Sequence, residues 1–195
     1  MENKKLKIGV DIDEVVVEFF RKYLALFNER FGKNLVFEDI KEFEMWNFTD
    51  VSKRDALQLV DDFNNSDDFF ELNLIDGVKD ALAKLYENYE IHFITSRPGS
   101  VSEKTNSLLK NLFEDIDFNL IFSEGVHGKG KSKAQICKEL EIIILVEDRR
   151  KTAFDCAEDG IKVFLLDKPW NQNCEHKNIV RVKSWEEILK CLNAN

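Results

Sequence analysis

Glycine and proline are scarce, with 8 Gly and 2 Pro in 195 residues, which excludes collagen-like and low-complexity chains. Cysteine is little used. Cys137, Cys156, Cys174 and Cys191 lie 19, 18 and 17 residues apart with no CxxC pair, and His92, His127 and His176 are scattered. Neither set has zinc-ligand spacing, so reduced thiols and a cytoplasmic setting are expected. Long apolar runs are missing: stretches such as Ile142 to Val146 fall far short of the roughly 20 residues that span a bilayer. Met1 to Lys5 has none of the apolar character of a signal peptide. Positive charge is in deficit, with 28 Lys+Arg against 37 Asp+Glu and a net charge of −9. Nucleic acid polymers and anionic membranes are therefore not expected as partners. What is present is a chain 44% hydrophobic and 33% charged, long enough for one domain, or one domain with a sizeable insertion.

Short apolar runs alternate with helical periods. Lys7 to Ile12, Ile91 to Thr95, Phe118 to Phe122, Ile142 to Val146 and Lys162 to Leu166 are strand-length and rich in Ile, Val, Leu and Phe, as strands covered on both faces should be. Between them, Val78, Ala81, Leu82, Leu85, Tyr86 and Tyr89 follow helical spacing behind Asp76 as cap. Thr105, Leu108, Leu109, Leu112 and Phe113 do the same behind Ser100 to Glu103, and Trp185, Ile188, Leu189 and Leu192 behind Ser184 to Glu187, both capping-box patterns. Strict alternation predicts a Rossmann-like parallel α/β sheet with right-handed crossovers.

One spacing breaks the rhythm. A βαβ unit takes about 30 residues, yet 78 separate Ile12 from Ile91. The surplus is aromatic: 10 of the 16 Phe lie between Phe19 and Phe70, joined by Tyr23, Met45 and Trp46. It opens with Val16, Phe19, Phe20, Tyr23, Phe27 and Phe31 on one helical face. The expected division is a core of residues 1–15 and 75–195 with a largely helical cap, 16–74, inserted after the first strand. Such a segment either packs only its own small core or caps the sheet's ligand-binding edge with one or two aromatics left to face a substrate.

The first strand ends Gly9-Val-Asp-Ile-Asp-Glu-Val15. Residues i and i+2 share a side of a strand, so Asp11 and Asp13 both project at the carboxyl end, where α/β sheets bind ligands. Paired carboxylates serve a cation or acid–base chemistry, and oxygen ligands that meet phosphate suit Mg²⁺. The second strand ends Thr95-Ser-Arg-Pro98, where the Thr95 or Ser96 hydroxyl before a helix N-terminus suits a phosphate oxygen. Another strand ends Glu147-Asp148-Arg149-Arg150, with Asp148 placed to cap the next helix.

Gly125-Val-His-Gly-Lys-Gly-Lys-Ser132 matches the P-loop pattern GxxxxGK[ST], between a strand and a helix. Only 15 residues separate Ser132 from Asp148 and 47 follow it, little room for the remaining sheet, and that reading leaves Asp11, Asp13 and Thr95 idle. Ser132-Lys-Ala-Gln135 is instead a capping-box pattern that makes Lys133 the first helical residue. A cation is disfavoured there by the helix dipole, and a bound anion would compensate.

DxDxV after strand one, TSR after strand two, a lysine at a helix start and ED after a later strand resemble, in that order, the four motifs of the haloacid-dehalogenase-like phosphohydrolases. Asp167 to Gln172 and Arg181 to Ile188 are similar to stretches of bacterial relatives of cytosolic 5′(3′)-deoxyribonucleotidases. The resemblance implies a Mg²⁺-dependent phosphatase of (deoxy)nucleoside monophosphates, with other small phosphomonoesters as the alternative substrates. Asp11 would be the nucleophile, forming an aspartyl-phosphate, and Asp13 the acid–base group. Thr95, Ser96 and Lys133 would hold phosphoryl oxygens; Asp11, Asp13 through its backbone carbonyl, and Asp148 would hold Mg²⁺. Glu14 and Glu147 depart from the pattern, since glycine is common at the first position and glycine or aspartate at the second. The cluster Glu42 to Phe48 suits a nucleobase, with Trp46 as the stacking candidate. A phospho-receiver module is the rival of another class; Asp13, a turnover group, argues against it. Self-association into a homodimer is left open.

Overall fold

The computed structural model describes residues 5–123 and 130–193. Six strands, β1 (Leu6–Val10), β2 (Tyr89–Thr95), β3 (Phe118–Phe122), β4 (Ile144–Glu147), β5 (Lys162–Leu166) and β6 (Ile179–Val182), form one sheet in the order β3-β2-β1-β4-β5-β6. Every pairing is parallel. Alternate residues divide between two apolar cores, as the period of 2 requires. Val10, Ile144, Val146 and Phe164 enter one core, and Ile94, Leu145, Val163 and Leu165 the other. Helices α3 (Val78–Tyr86), α4 (Ser102–Leu112) and α7 (Trp185–Asn193) cover the first face, and α5 (Lys133–Glu139) and α6 (Arg150–Glu158) the second. The result is the Rossmann-like three-layer arrangement that the alternation predicts, with its order reversing between β1 and β4. No described helix is long and apolar enough to cross a membrane.

The differences from the sequence pattern are local. β1 stops at Val10, because the amides of Val16 and Val17 fold back onto the Ile12 carbonyl. β6 was not read from the sequence: Ile-Val-Arg-Val is an edge strand, three of its four residues only half-buried, and lacks an apolar run. Two caps also differ. Gly77, at φ 74°, precedes α3 in place of an Asp76 cap, and Ser100 lies in a 3-10 turn, Gly99–Val101, so α4 has no side-chain cap. At α7 the Ser184 hydroxyl accepts the Glu187 amide at 3.3 Å, but the Glu187 carboxylate takes the amide of Lys183.

Between β1 and α3 the chain forms α1 (Phe19–Phe31) and α2 (Lys53–Asn65), with 3-10 turns at Phe37–Asp39, Met45–Asn47 and Asp67–Glu71. Val16 lies ahead of α1 rather than on its face, while Phe19, Phe20, Tyr23 and Phe27 are buried along it. The outgoing and returning chains run side by side: Glu18 donates to the Asn73 carbonyl at 2.9 Å, and Ile75 to that of Val16 at 2.8 Å. The Trp185 indole donates to the Val15 carbonyl at 2.9 Å, fastening α7 beneath this junction.

Candidate active site

The sheet order reverses between β1 and β4, and a crevice at the carboxyl ends of such strands is where open α/β sheets bind ligands. The Asp11 amide donates to the Val146 carbonyl at 3.0 Å, holding the two strand ends together. There the carboxylates of Asp11, Glu147 and Asp148, all buried, offer oxygens within 4.8 Å of one another. Lys133, also buried, places Nζ 2.7 Å from Asp11 Oδ1 and 2.8 Å from Glu147 Oε2. Its position follows from the local sequence. Ser132 and Gln135 form the reciprocal capping box, so Lys133 opens α5, and Ile136 and Cys137 anchor that helix in the second core.

Two further oxygens of the trio are also tied. Glu147 Oε1 accepts the Arg149 amide at 3.0 Å, and Asp148 Oδ2 accepts the Trp170 indole at 2.9 Å. Asp148 therefore does not cap α6, whose preceding residue is Arg149 and which has no side-chain cap. Burial, then the charge of Glu147, pushes Asp11 up to about 7 against the pull of Lys133. Burial, followed by the charges of Glu147 and Asp11, holds Asp148 well above the ordinary carboxylate range. Burial works against the Lys133 ammonium, but Asp11 and Glu147 outweigh it and raise its pKa.

Asp13 stands beside this trio rather than within it. Its carboxylate takes both Nε and Nη2 of Arg97, at 3.0 and 2.6 Å, and is not part of the carboxylate trio. Glu147 completes that trio, so any metal role for Asp13 falls to its backbone carbonyl. Thr95 is buried, its hydroxyl accepting the Arg97 amide at 3.1 Å, while the Ser96 hydroxyl lies 2.9 Å from that of Ser123. Trp46 stands in the Met45–Asn47 turn. With Phe19, Phe20, Tyr23 and Phe43 it lines a cleft of about 130 Å³ whose floor includes Asp11, Asp13, Ser96 and Asp148.

Of the P-loop pattern, residues 125–129 lie outside the described residues. Lys131 pairs with Glu139 on the outer surface of α5, and Ser132 is occupied as a cap.

Three arrangements were not read from the sequence. Arg97 pairs with Asp13, and its signal in the sequence is an arginine beside a strand-end hydroxyl. Glu14 adopts φ 61°, a left-handed conformation that suits the glycine common there. Its buried carboxylate accepts the Phe20 amide at 2.6 Å and Lys168 Nζ at 3.0 Å. Arg149 lies over the Phe43 ring at 4.6 Å and pairs with Glu44, joining the end of β4 to the inserted segment. Neither of these last two had a local signal.

Comparison with known proteins gives a consistent pattern. Residues 4–194 match the family model described as 5′ nucleotidase, deoxy (Pyrimidine), cytosolic type C protein. A 5′(3′)-deoxyribonucleotidase of Bacillus subtilis is 26% identical over 96% of this chain and 99% of its own. A nucleotidase of Clostridium acetobutylicum is 24% identical over 95% and 92%. Among solved structures, a haloacid dehalogenase-like family hydrolase from Streptococcus pneumoniae superposes with a TM-score of 0.70 at 18% identity, covering 96% of this chain and 98% of that one.

Proposed function

The chain belongs to the cytosolic type C 5′-nucleotidase family, within the haloacid-dehalogenase-like fold, and we propose that it hydrolyses (deoxy)nucleoside monophosphates in a Mg²⁺-dependent reaction through an aspartyl-phosphate. It is accordingly a nucleotidase, a phosphoric monoester hydrolase. The observation that carries the finer reading is the convergence of Asp11, Glu147 and Asp148 beside Lys133 at the strand ends.

The donor set fits a hard divalent cation: three buried carboxylates with one ammonium leave uncompensated negative charge, and oxygen ligands suit Mg²⁺. Asp11, Asp148 and the backbone carbonyl of Asp13 would hold the ion. When bound, it neutralises charge on the phosphoryl oxygens. The chain does the rest. An Asp11 oxygen bonds to phosphorus as the bond to the nucleoside oxygen breaks, and Asp13 supplies the proton that the leaving alcohol needs. Water then attacks phosphorus, Asp13 takes its proton, and Asp11 is released. Thr95, Ser96 and Lys133 hold phosphoryl oxygens meanwhile.

Residues 16–74 act in this reading as the cap. Support comes from the paired chains at 16–18 and 73–75 and from the aromatic cleft that the segment closes over Asp11. The flat apolar wall around Trp46 suits a nucleobase. Cytoplasmic placement belongs to the same reading, supported by four free cysteines.

The deciding experiment is phosphate release from a panel of deoxy- and ribonucleoside monophosphates with chelator and with added Mg²⁺, alongside Asp11→Asn. Activity that needs Mg²⁺ and vanishes in the folded Asp11→Asn is expected; full activity in that variant would refute the mechanism.

A further inference from the structure

We infer that Arg97 is the positioning residue for Asp13, and that it ties this proton-transfer group to the inserted segment through Phe69. Arg97 is buried at the end of β2, its guanidinium surrounded by three partners. Nε and Nη2 take the two oxygens of Asp13 in a fork, at 3.0 and 2.6 Å. Nη1 reaches the Thr105 hydroxyl at 3.4 Å, and the Phe69 ring lies 4.8 Å from the guanidinium carbon. Phe69 is itself fully buried in the Asp67–Glu71 turn, and Lys104 holds that turn by donating to the carbonyls of Asn64 and Ser66.

Among the described residues Asp13 is the one carboxylate that pairs with Arg97. Turning Asp13 away would strand a buried guanidinium, which is strongly unfavourable. The fork therefore fixes the carboxylate. A carboxylate offers about four lone-pair sites, and Arg97 uses three, with Oδ1 accepting from both Nε and Nη2 and Oδ2 from Nε alone. One site on Oδ2 remains to receive a proton.

The second half of the reaction depends on where the fork holds the Asp13 carboxylate. There a water oxygen bonds to phosphorus, the phosphorus–oxygen bond to Asp11 breaks with its electrons returning to the carboxylate, and the water proton passes to Asp13. Arg97 serves that half most. Because Phe69 belongs to the insertion, the placement of the Asp67–Glu71 turn is felt at Asp13 without any contact to substrate.

The inference rests on the two-step reading, and its test keeps the two apart. Rapid-quench measurements with p-nitrophenyl phosphate, whose leaving group needs no proton, report formation and hydrolysis of the phosphoprotein separately. Arg97→Gln is expected to slow hydrolysis by about 10–10², a part of the roughly 10²–10⁴ that a positioned general base contributes, with formation within a few-fold of wild type. The phosphoprotein then accumulates in the steady state. Arg97→Lys, which keeps the charge and loses the fork, should fall between the two, and Phe69→Leu should slow the same step by a few-fold. In an Asp13→Asn background, Arg97→Gln should add no further loss, whereas a purely structural role would add its full effect. Equal slowing of both steps, or an additive loss in the double variant, overturns the inference. A phosphoprotein that forms normally but hydrolyses at the wild-type rate in Arg97→Gln overturns it alone. Absence of any phosphoprotein in the wild type removes the two-step reading and the inference together.

Discussion

Replacing Lys133 by alanine should damage the protein twice, once in catalysis and once in stability, while the same change at Lys131 does neither. The Lys133 side chain is 3% exposed and lies 2.7 and 2.8 Å from two carboxylates that are themselves buried. Removing it leaves Asp11, Glu147 and Asp148 together with no cation. Breaking a buried ion pair by deleting one partner costs about 3–5 kcal/mol, and for a chain of this length each kcal/mol moves the melting temperature by roughly 2–4 °C. A fall of about 6–20 °C is expected in chelator. Mg²⁺ should recover more of that loss than it adds to the wild type, because the variant offers it an unopposed carboxylate trio. The catalytic loss is separate. One charge-assisted contact to a transferring phosphoryl group is worth about 2.7–4 kcal/mol by analogy with an oxyanion-hole donor, or about 10²–10³ in kcat. Lys131 is 59% exposed and its partner Glu139 54%, a surface pair of the kind worth about 0–1 kcal/mol. Lys131→Ala should therefore stay within a few-fold in rate and a few degrees in melting. Melting curves by circular dichroism, with and without Mg²⁺, and phosphate release at saturating nucleotide check both halves. The reverse ranking of the two lysines would refute the proposed phosphoryl-binding role of Lys133 and reopen the P-loop reading.

Trp46→Ala should reduce kcat/KM for nucleotides by about 10-fold or more, since a base–aromatic stack is worth about 1–3 kcal/mol, and spare p-nitrophenyl phosphate; equal losses on both would make Trp46 packing alone. Glu14→Gly relieves the left-handed conformation at φ 61°, a gain of about 1–2 kcal/mol. It also strands the Lys168 ammonium and the Phe20 amide, so a net loss of about 1–4 kcal/mol in urea unfolding is expected from breaking the buried pair; a stabilised variant would show that Lys168 finds water instead. Burial pushes His92 below its ordinary value, with Lys7 adding to this and Glu90 opposing. The folded state thus resists protonation, and the His92 contribution to stability is present above about pH 6.5 and lost as pH falls below it. His92→Asn should flatten the decline in melting temperature between pH 7.5 and 5.5, and an unchanged slope would place the acid sensitivity elsewhere.

The sheet was legible because its central strands are buried on both faces and read as unbroken apolar runs. β6 was not, because Arg181 interrupts an edge strand that needs only one covered face. Asp11, Lys133 and Asp148 were legible because each sits where a local rule stops: a strand that ends in an acid, a helix that begins with a cation, an apolar run that meets Glu147. Their partners were less so. Arg97 and Asp13 are 84 residues apart, and Lys168 and Glu14 are 154. No periodicity or cap spans such distances, and only the sheet order brings the pairs together. The Ser100 and Asp76 caps failed for the complementary reason. Local signals there were outcompeted by a 3-10 turn and by Gly77, whose positive φ was available without strain.

Those long-range pairs give the charge of the site a meaning that the motifs lack. Around the ends of β1, β2 and β4 stand five acids, Asp11, Asp13, Glu14, Glu147 and Asp148, and three cations that pair with them, Lys133, Arg97 and Lys168. Arg149 is matched separately by Glu44. The site is thus two charges more negative than positive, and the excess falls on the Asp11, Glu147 and Asp148 group, because Arg97 and Lys168 each neutralise an acid outside it. Burial together with mutual repulsion raises Asp11 and Asp148 above the ordinary carboxylate range, as expected where like charges share a desolvated space. Protonating two of these oxygens would relieve that excess, and so would one divalent cation; only the second leaves all three carboxylates ionised. The same bookkeeping explains how Glu147 is tolerated before Asp148. It adds a charge to the trio, and Lys133, bridging it to Asp11, supplies the opposite one.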